Sequence, residues 1–132
     1  SGVGVRIAEV LGENKDAAFK TLVTTTPSAG VVVCCIPVAC ELDLKKAAHA
    51  IGEKSLSMLP MKDLEATTGY VRGGCSPVGM KKQFPTLLDE TAQLFDEIGI
   101  SGGKRGLSLQ VNPEELAHFL NACFADITRD GE

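Results

Sequence analysis

Two glycine-rich segments contain the residues of this sequence that are best suited to chemistry. Segment 67–79 reads Thr-Thr-Gly-Tyr-Val-Arg-Gly-Gly-Cys-Ser-Pro-Val-Gly, and segment 101–106 reads Ser-Gly-Gly-Lys-Arg-Gly. Glycine permits positive φ and close backbone approach, so several N–H groups of such a loop can converge on one point. Converging donors bind an anion, or an oxygen atom that becomes negative in a transition state. On composition alone, tight turns between strands are the simpler interpretation of both segments.

Five cysteines and two histidines offer a second kind of chemistry. A zinc site could be drawn with His49 or His118, but the sequence has no Cys-x-x-Cys pair, and we predict neither a metal nor another cofactor. Cys34 and Cys35 lie in an apolar run that is typical of a buried strand. We expect inert core thiols, with Cys75 as the one candidate for reactivity, because a reactive thiolate needs an electropositive, partly exposed setting.

The composition indicates one globular domain over residues 1–132, with 44% hydrophobic residues and no apolar run long enough to cross a membrane. The net charge is −4 and the pI is about 5.2, which argues against binding of nucleic acid through a generally basic surface. These values still allow binding of nucleic acid through a local basic patch or with the help of a partner protein. The first residues do not resemble a secretory leader, so we expect a reduced, cytoplasmic environment.

Several elements are predicted before the first glycine-rich segment. Residues 5–11 have the apolar spacing of a short helix that ends at Gly12, and 16–20 form a further helical turn. Strands over 22–26 and 31–38 form a hairpin around a turn at 27–30, and the second strand is buried on both faces. Asp43 caps a helix over 44–51 that Gly52 ends.

The remaining elements alternate between helix and strand. Pro60 opens a short helix that ends before Gly69, strands follow near 84–88, 98–100 and 107–111, and one helical turn lies at 89–95. Asn112 caps a last helix, whose apolar stripe is predicted to be Leu116, Phe119, Leu120 and Cys123. This order predicts an α/β or α+β domain with a mixed sheet.

Four motifs in this order resemble the YbaK/EbsC family. They are segments 19–23, 42–48, 68–79 and 101–107, and together they extend over nearly the whole chain. The family contains aminoacyl-tRNA editing proteins related to the editing insertion domain of bacterial prolyl-tRNA synthetase, and the most similar subfamily consists of Cys-tRNA(Pro) deacylases. The resemblance implies a curved mixed sheet surrounded by short helices, and hydrolysis of a wrong amino acid from the 3′ end of a tRNA.

The resemblance also implies roles for residues. Lys20 is expected to contact the 3′-terminal part of the substrate, and the Gly-x-x-x-Pro loop is expected to supply backbone contacts around the ester. In cysteine-specific members the substrate's own thiol attacks the ester carbonyl. The expected catalytic residues are Lys20, Gly73, Gly74 and Ser101. The expected substrate-binding residues are Thr21, Tyr70, Cys75, Ser76, Pro77, Gly102, Gly103, Lys104 and Arg105.

Mischarged tRNA(Pro) is the expected partner, with prolyl-tRNA synthetase as a second one. We expect departures from the family at three points: a segment that precedes the first helix in relatives is expected to be lacking, Ser108 stands where relatives often have an acid, and Cys75 stands at a usually apolar position. The first two departures favour one alternative, a non-catalytic module of the same fold that binds tRNA ends, nucleotides or a synthetase.

Overall fold

The computed structural model describes residues 5–8 and 15–129, with side chains from residue 16 onward. The strands are β1 (Val5–Ala8), β2 (Phe19–Thr25), β3 (Val31–Pro37), β4 (Glu41–Leu42), β5 (Ser57–Met58), β6 (Thr86–Asp89), β7 (Ile98–Ser101), β8 (Ser108–Val111), β9 (Cys123–Ala125) and β10 (Thr128–Arg129). The α-helices are α1 (Leu44–Ile51), α2 (Leu64–Thr68) and α3 (Pro113–Leu120), and short 3-10 helices occupy Lys15–Ala17, Met61–Asp63 and Glu90–Leu94. In the described part of the chain, every helix is too short or too polar to cross a membrane.

The predicted hairpin is the centre of a five-stranded mixed sheet with the order β5-β2-β3-β6-β9. Strands β2 and β3 pair antiparallel from Phe19 opposite Pro37 to Thr25 opposite Val31. Strand β6 then pairs with β3 in parallel, and β9 pairs with β6 in parallel. The fold is therefore a mixed α/β domain with short helices, as the sequence predicted.

Strand β3 is buried on both faces because the five-stranded sheet separates two apolar cores. Val33 and Cys35 point into a core with β7, β8 and α3, whereas Cys34 and Ile36 point into a core with α1. Successive side chains of a strand alternate between the two faces of a sheet, so a continuous apolar run is what such a strand requires.

A second, antiparallel sheet with the order β1-β8-β7 lies beside the first. The helix predicted for residues 5–11 is wrong where it is described, because Val5 pairs with Val111 and Ala8 with Ser108 in β1 and β8. Long-range strand pairing overrides the weak helical spacing of so short a segment. The rest of that prediction, with Gly12, lies outside the described residues.

The predicted helix caps are confirmed. Asp43 accepts a hydrogen bond from the backbone of Lys46 at 3.0 Å, and Asn112 accepts one from Glu115 at 2.9 Å. Gly52 ends α1 with a φ of 76°, and Gly69 ends α2 with a φ of 92°. Both values lie in the left-handed region that glycine adopts without steric cost.

The apolar stripe predicted for the last helix is wrong in part. Leu116 and Leu120 are buried, but the Phe119 side chain is 48% exposed. The helix ends at Asn121, which has a φ of 54°, so the helical spacing does not continue to Cys123. Cys123 is an exposed residue of β9 and not the core thiol that we expected.

The C-terminal segment is held by a buried carboxylate that the sequence did not single out. One oxygen of Asp89 accepts a hydrogen bond from the backbone N–H of Ile127 at 3.0 Å, and the other accepts from the backbone N–H of Thr91 at 3.2 Å. The Thr91 hydroxyl donates to that second oxygen as well. Asp89 is completely buried, so these bonds replace the water that it has lost.

Candidate active site

A cavity of about 520 Å³ lies where strand β2 meets the two glycine-rich segments. It brings together residues that are far apart in sequence, among them Lys20, Gly73 and Ser101. Pockets of this size accommodate small-molecule ligands. The lining consists of residues 18–23, 99–101 and 106–108, of Arg72, Gly73, Cys75 and Lys104, and of the apolar residues Val38, Met58, Leu59, Met61 and Leu64.

Strand β2 supplies Lys20 and Thr21 to this cavity. Lys20 lies opposite Ile36 and Thr21 opposite Cys35 in the central hairpin, so pairing with the buried strand β3 positions both. The hydroxyl oxygen of Thr21 lies 3.7 Å from the sulfur of Cys35, within hydrogen-bonding range for sulfur. Both predicted residues therefore line the cavity from a well-supported strand.

The first glycine-rich segment turns sharply at the cavity. The backbone N–H of Gly74 donates to the carbonyl oxygen of Val71 at 3.0 Å and closes a four-residue turn. Gly73 lies inside this turn with a φ of 86°. Among the described residues, the backbone N–H groups of Gly73 and Cys75 have no hydrogen-bond partner. Those two N–H groups, and not that of Gly74, are free to donate to a ligand.

Three of the predicted substrate-binding residues do not line the cavity, and two of them hold the shape of this loop instead. The Tyr70 hydroxyl donates to the carbonyl oxygen of Val78. Ser76 is buried, and its hydroxyl oxygen accepts from the backbone of Val78 at 3.2 Å. Pro77 lines a separate groove beside Phe119.

The second glycine-rich segment is a tight turn at the end of β7. The backbone N–H of Gly102 donates to the carbonyl oxygen of Leu107 at 2.8 Å, and that of Gly103 donates to the Ser101 hydroxyl oxygen at 3.2 Å. Ser101 lines the cavity and lies opposite Ser108 in the sheet, whereas Gly102 and Gly103 do not line it.

The two glycine-rich segments are packed against each other, backbone to backbone. A Cβ atom on Gly74 would lie 2.8 Å from the Cα atom of Lys104, and one on Gly73 would lie 2.8 Å from Nε of Arg105. The same Nε donates to the carbonyl oxygen of Arg72 at 3.2 Å. Glycine is required at position 74 because a Cβ atom there would meet the Lys104 backbone, and at position 73 because the backbone has a left-handed φ of 86°.

Neither the Cys75 thiol, which lines the cavity, nor the buried thiols of β3 are suited to act as nucleophiles. Burial raises the pKa of Cys75, and a hydrogen bond with Thr68 opposes this effect only in part. Burial raises the pKa of both Cys34 and Cys35 to about 12. Since the thiolate is the reactive species, Cys75 contributes a protonated, largely buried surface to the cavity wall.

The cavity is basic although the chain as a whole is acidic. Lys20, Arg72 and Lys104 line it, and no carboxylate or histidine is among its described lining residues. Between residues 66 and 88, and again between 99 and 113, the sequence contains cations but no acid. Within residues 16–129, no three His, Cys, Asp or Glu side chains lie close enough to hold a metal ion, and the absence of a metal stays a prediction.

The sequence did not single out Arg72 or the apolar lining residues. Arg72 could have been found from its place between two glycines of the motif, but Met58 and Met61 lie in a segment without any motif. Ser108, noted only as a departure from the family, also lines the cavity. Arg105 is part of the contact between the segments and not of the lining.

The fold and the site together define an aminoacyl-tRNA editing domain. A family model with this description matches residues 5–119, and the chain belongs to that family. It is similar to EbsC of Enterococcus faecalis, a candidate Cys-tRNA(Pro)/Cys-tRNA(Cys) deacylase. The two are 56% identical over 122 residues, which cover 92% of this chain and 74% of that protein.

Solved structures agree with this assignment of the fold. A candidate trans-editing enzyme for prolyl-tRNA synthetase superposes with a TM-score of 0.84 at 23% identity, covering 96% of this chain and 87% of that one. A hypothetical protein, APE2540, superposes with a TM-score of 0.85 at 21% identity, covering 96% and 91% of the two chains. At these identities the likeness shows a common fold.

Proposed function

We propose that this protein removes a wrongly attached amino acid from tRNA, acting in trans on the ester at the 3′ end. Among the candidate substrates, we propose Cys-tRNA(Pro) as the preferred one. The observation that carries the proposal is a single cavity lined by Lys20, Gly73 and Ser101, which come from three separate segments. The 56% identity to a relative that is named for deacylation of Cys-tRNA supports the same chemistry here.

An aminoacyl ester is already activated, so the main task of the protein is to hold the carbonyl group and to stabilise the oxygen that becomes negative. One well-placed donor contributes about 3–4 kcal/mol to this stabilisation. The unpaired N–H groups of Gly73 and Cys75 belong to residues that line the cavity, and we assign them this role. Gly74 closes the turn that holds them in place.

A cysteinyl ester carries its own nucleophile, which explains how a cavity without a side-chain carboxylate can be active. The substrate sulfur attacks the carbonyl carbon, and a C–S bond forms as the C–O bond to the ribose breaks. The thiol proton passes to the ribose oxygen that leaves, and water then opens the cyclic thioester to free cysteine. Thiol and ester belong to one molecule, so the first step is intramolecular, and the cavity accelerates it by orienting the sulfur towards the carbonyl carbon.

The cations of the cavity position the tRNA end. Lys20 is held by the central strand and supplies a charge close to the reacting ester, whereas Lys104 lies in the second glycine-rich segment beside Arg105. A lysine is a mobile point charge that suits contact with phosphate or ribose oxygens. Thr21 and Ser101 add hydroxyl groups for contacts with the amino acid or the ribose.

Deacylation of Cys-tRNA(Pro) and Ala-tRNA(Pro), measured side by side, tests this function. Thiol attack predicts fast release of cysteine and slow release of alanine, because an alanyl ester has no nucleophile of its own. Release of cysteine that is no faster with the protein than without it would contradict the proposal. A second assay with prolyl-tRNA synthetase added tests whether that enzyme delivers the substrate.

One alternative has a specific observation in its favour. Ser108 lines the cavity where relatives often have an acid, so a side chain that could assist turnover is replaced. A non-catalytic module would bind tRNA ends, nucleotides or a synthetase through the same cavity. It predicts affinity for a non-hydrolysable aminoacyl-adenosine analogue together with complete absence of ester cleavage.

A further inference from the structure

The first glycine-rich segment belongs to a closed loop over residues 68–81. The backbone N–H of Lys81 donates to the carbonyl oxygen of Thr68 at 3.0 Å and closes the loop at its base. Thr68 is completely buried at the end of α2, and its hydroxyl oxygen accepts from the backbone N–H of Tyr70 at 3.0 Å. The base of the loop is therefore fixed to α2, whereas its tip, residues 71–75, lies at the cavity.

The Tyr70 side chain crosses this loop between its base and its tip. Its hydroxyl donates to the backbone carbonyl oxygen of Val78 on the opposite side of the loop. A Cβ atom on Gly79 would lie 2.9 Å from the Tyr70 hydroxyl oxygen, so a larger residue there would displace the hydroxyl. Tyr70 is half-buried and does not line the cavity. Its hydroxyl therefore joins the two sides of the loop and is not a contact for the ligand.

The ring of Tyr70 lies against the second glycine-rich segment. A Cβ atom on Gly103 would lie 3.2 Å from Cε1 of this ring. The backbone N–H of Gly103 donates to the hydroxyl oxygen of Ser101, which lines the cavity. Tyr70 thus contacts both segments from outside the cavity, one through its hydroxyl and the other through its ring.

We propose that Tyr70 is a positioning residue, whose hydrogen bond to Val78 keeps the backbone N–H groups of Gly73 and Cys75 directed at the ester carbonyl. The role of these two N–H groups rests on the proposed function. Donors stabilise a developing oxyanion best when they already point at it, and a displacement of about 1 Å can cost roughly a hundredfold in rate. The direction of a backbone donor is set by bonds elsewhere in its loop, and the Tyr70 bond is the one that spans this loop.

The kinetics of Tyr70→Phe test this role, because the change keeps the ring and removes only the hydroxyl. In deacylation of Cys-tRNA(Pro), kcat from single-turnover measurements is expected to fall about two- to tenfold, the range for loss of one hydrogen bond. KM is expected to stay unchanged, because Tyr70 does not line the cavity. Thr86→Val is the matched control, since it removes a hydroxyl that donates to the carbonyl oxygen of Phe84 at 2.9 Å, outside the cavity. Its kcat and KM should match wild type.

A second measurement does not depend on activity. NMR relaxation gives order parameters for the backbone amides of Gly73 and Cys75. They are expected to be about 0.85, the value of rigid backbone, in wild type and in Thr86→Val. In Tyr70→Phe both are expected to be lower, because the tip of the loop has lost the bond that spans it.

Three results would overturn the positioning role. The first is an active wild type whose kcat is unchanged in Tyr70→Phe, and the second is a change in KM alone, which would make Tyr70 a ligand contact. The third is order parameters that stay the same in Tyr70→Phe, whether or not wild type is active. An inactive wild type with lower order parameters in Tyr70→Phe rejects the proposed deacylation alone.

Discussion

Nε of Arg105 donates a hydrogen bond to the backbone carbonyl oxygen of Arg72 at 3.2 Å, and this bond joins the two glycine-rich segments. It is made directly beside Gly73, whose N–H we assign to the oxyanion. The family motif suggested that Lys104 and Arg105 both contact substrate. Their neighbours differ, however: Lys104 lines the cavity, whereas Arg105 holds the first segment in place.

Replacement of Arg105 by Ala is therefore expected to lower kcat more than it raises KM. Loss of one hydrogen bond, typically about 0.5–1.5 kcal/mol, corresponds to roughly a two- to tenfold lower single-turnover rate. Lys104→Ala is the comparison, and it is expected to raise KM and to weaken the dependence of binding on salt, as loss of a phosphate contact does. Identical effects of the two changes would show that Arg105 acts as a phosphate contact instead.

Replacement of Gly73 by Ala is expected to abolish most activity. A left-handed φ costs a non-glycine residue about 1–2 kcal/mol, and the new Cβ atom would also lie 2.8 Å from Nε of Arg105. Gly52→Ala is the control, because Gly52 has a φ of 76° with no atom within 4 Å of the added Cβ. Urea unfolding should give a loss of stability in both variants, whereas deacylation should fail only in Gly73→Ala. Normal activity of Gly73→Ala would remove Gly73 from the site.

Asp89→Ala is expected to destabilise the fold by about 2–4 kcal/mol without touching the cavity. The change leaves the buried N–H of Ile127 without its acceptor, and each such orphaned group costs about 1–3 kcal/mol. Asp63→Ala is the control, since the Asp63 side chain makes no capping hydrogen bond to α2. Urea unfolding gives the free energy of unfolding of both variants. Equal, small losses of stability in the two would contradict the structural role of Asp89.

Stability is expected to fall as the pH rises above about 9. The thiols of Cys34 and Cys35 have a pKa of about 12 in the folded chain, whereas unfolded thiols ionise near 8.5. Between these values the unfolded chain binds fewer protons, so alkaline pH favours unfolding by up to about 1.4 kcal/mol per pH unit and thiol. Unfolding in urea at several pH values gives the slope of the free energy of unfolding against pH. This slope should be smaller for the Cys34→Ala/Cys35→Ala variant than for wild type. Equal slopes in both proteins would contradict this assignment.

Local signals predicted much of the fold. The caps at Asp43 and Asn112, and the apolar run that became β3, are properties of a few adjacent residues. Strand β1 and the exposed position of Cys123 depend instead on pairing with distant strands. A short stretch of sequence contains no information about such pairing. The two-residue strands β4, β5 and β10 were missed for the same reason.

The candidate site was predictable only where a motif marked it. The motifs indicated Lys20, Thr21, Gly73 and Ser101, which line the cavity. They did not distinguish residues that line it from those that support it, such as Tyr70 and Arg105, because that difference is set by packing between segments. Met58 and Met61 have no local signal, since pairing of β5 with β2 brings Met58 to the cavity and Met61 lies in the 3-10 helix that follows.

The most direct test of the central claim is the rate of cysteine release from Cys-tRNA(Pro) by the Lys20→Ala variant, compared with wild type and Lys45→Ala. Lys45 is a matched control, because it lies on α1, outside the cavity lining. The account predicts that Lys20→Ala loses activity by about a hundredfold or more while it stays folded, as expected for a residue that orients the reacting group. Lys45→Ala should match wild type. Full activity of a folded Lys20→Ala variant would contradict the assignment of this cavity as the active site.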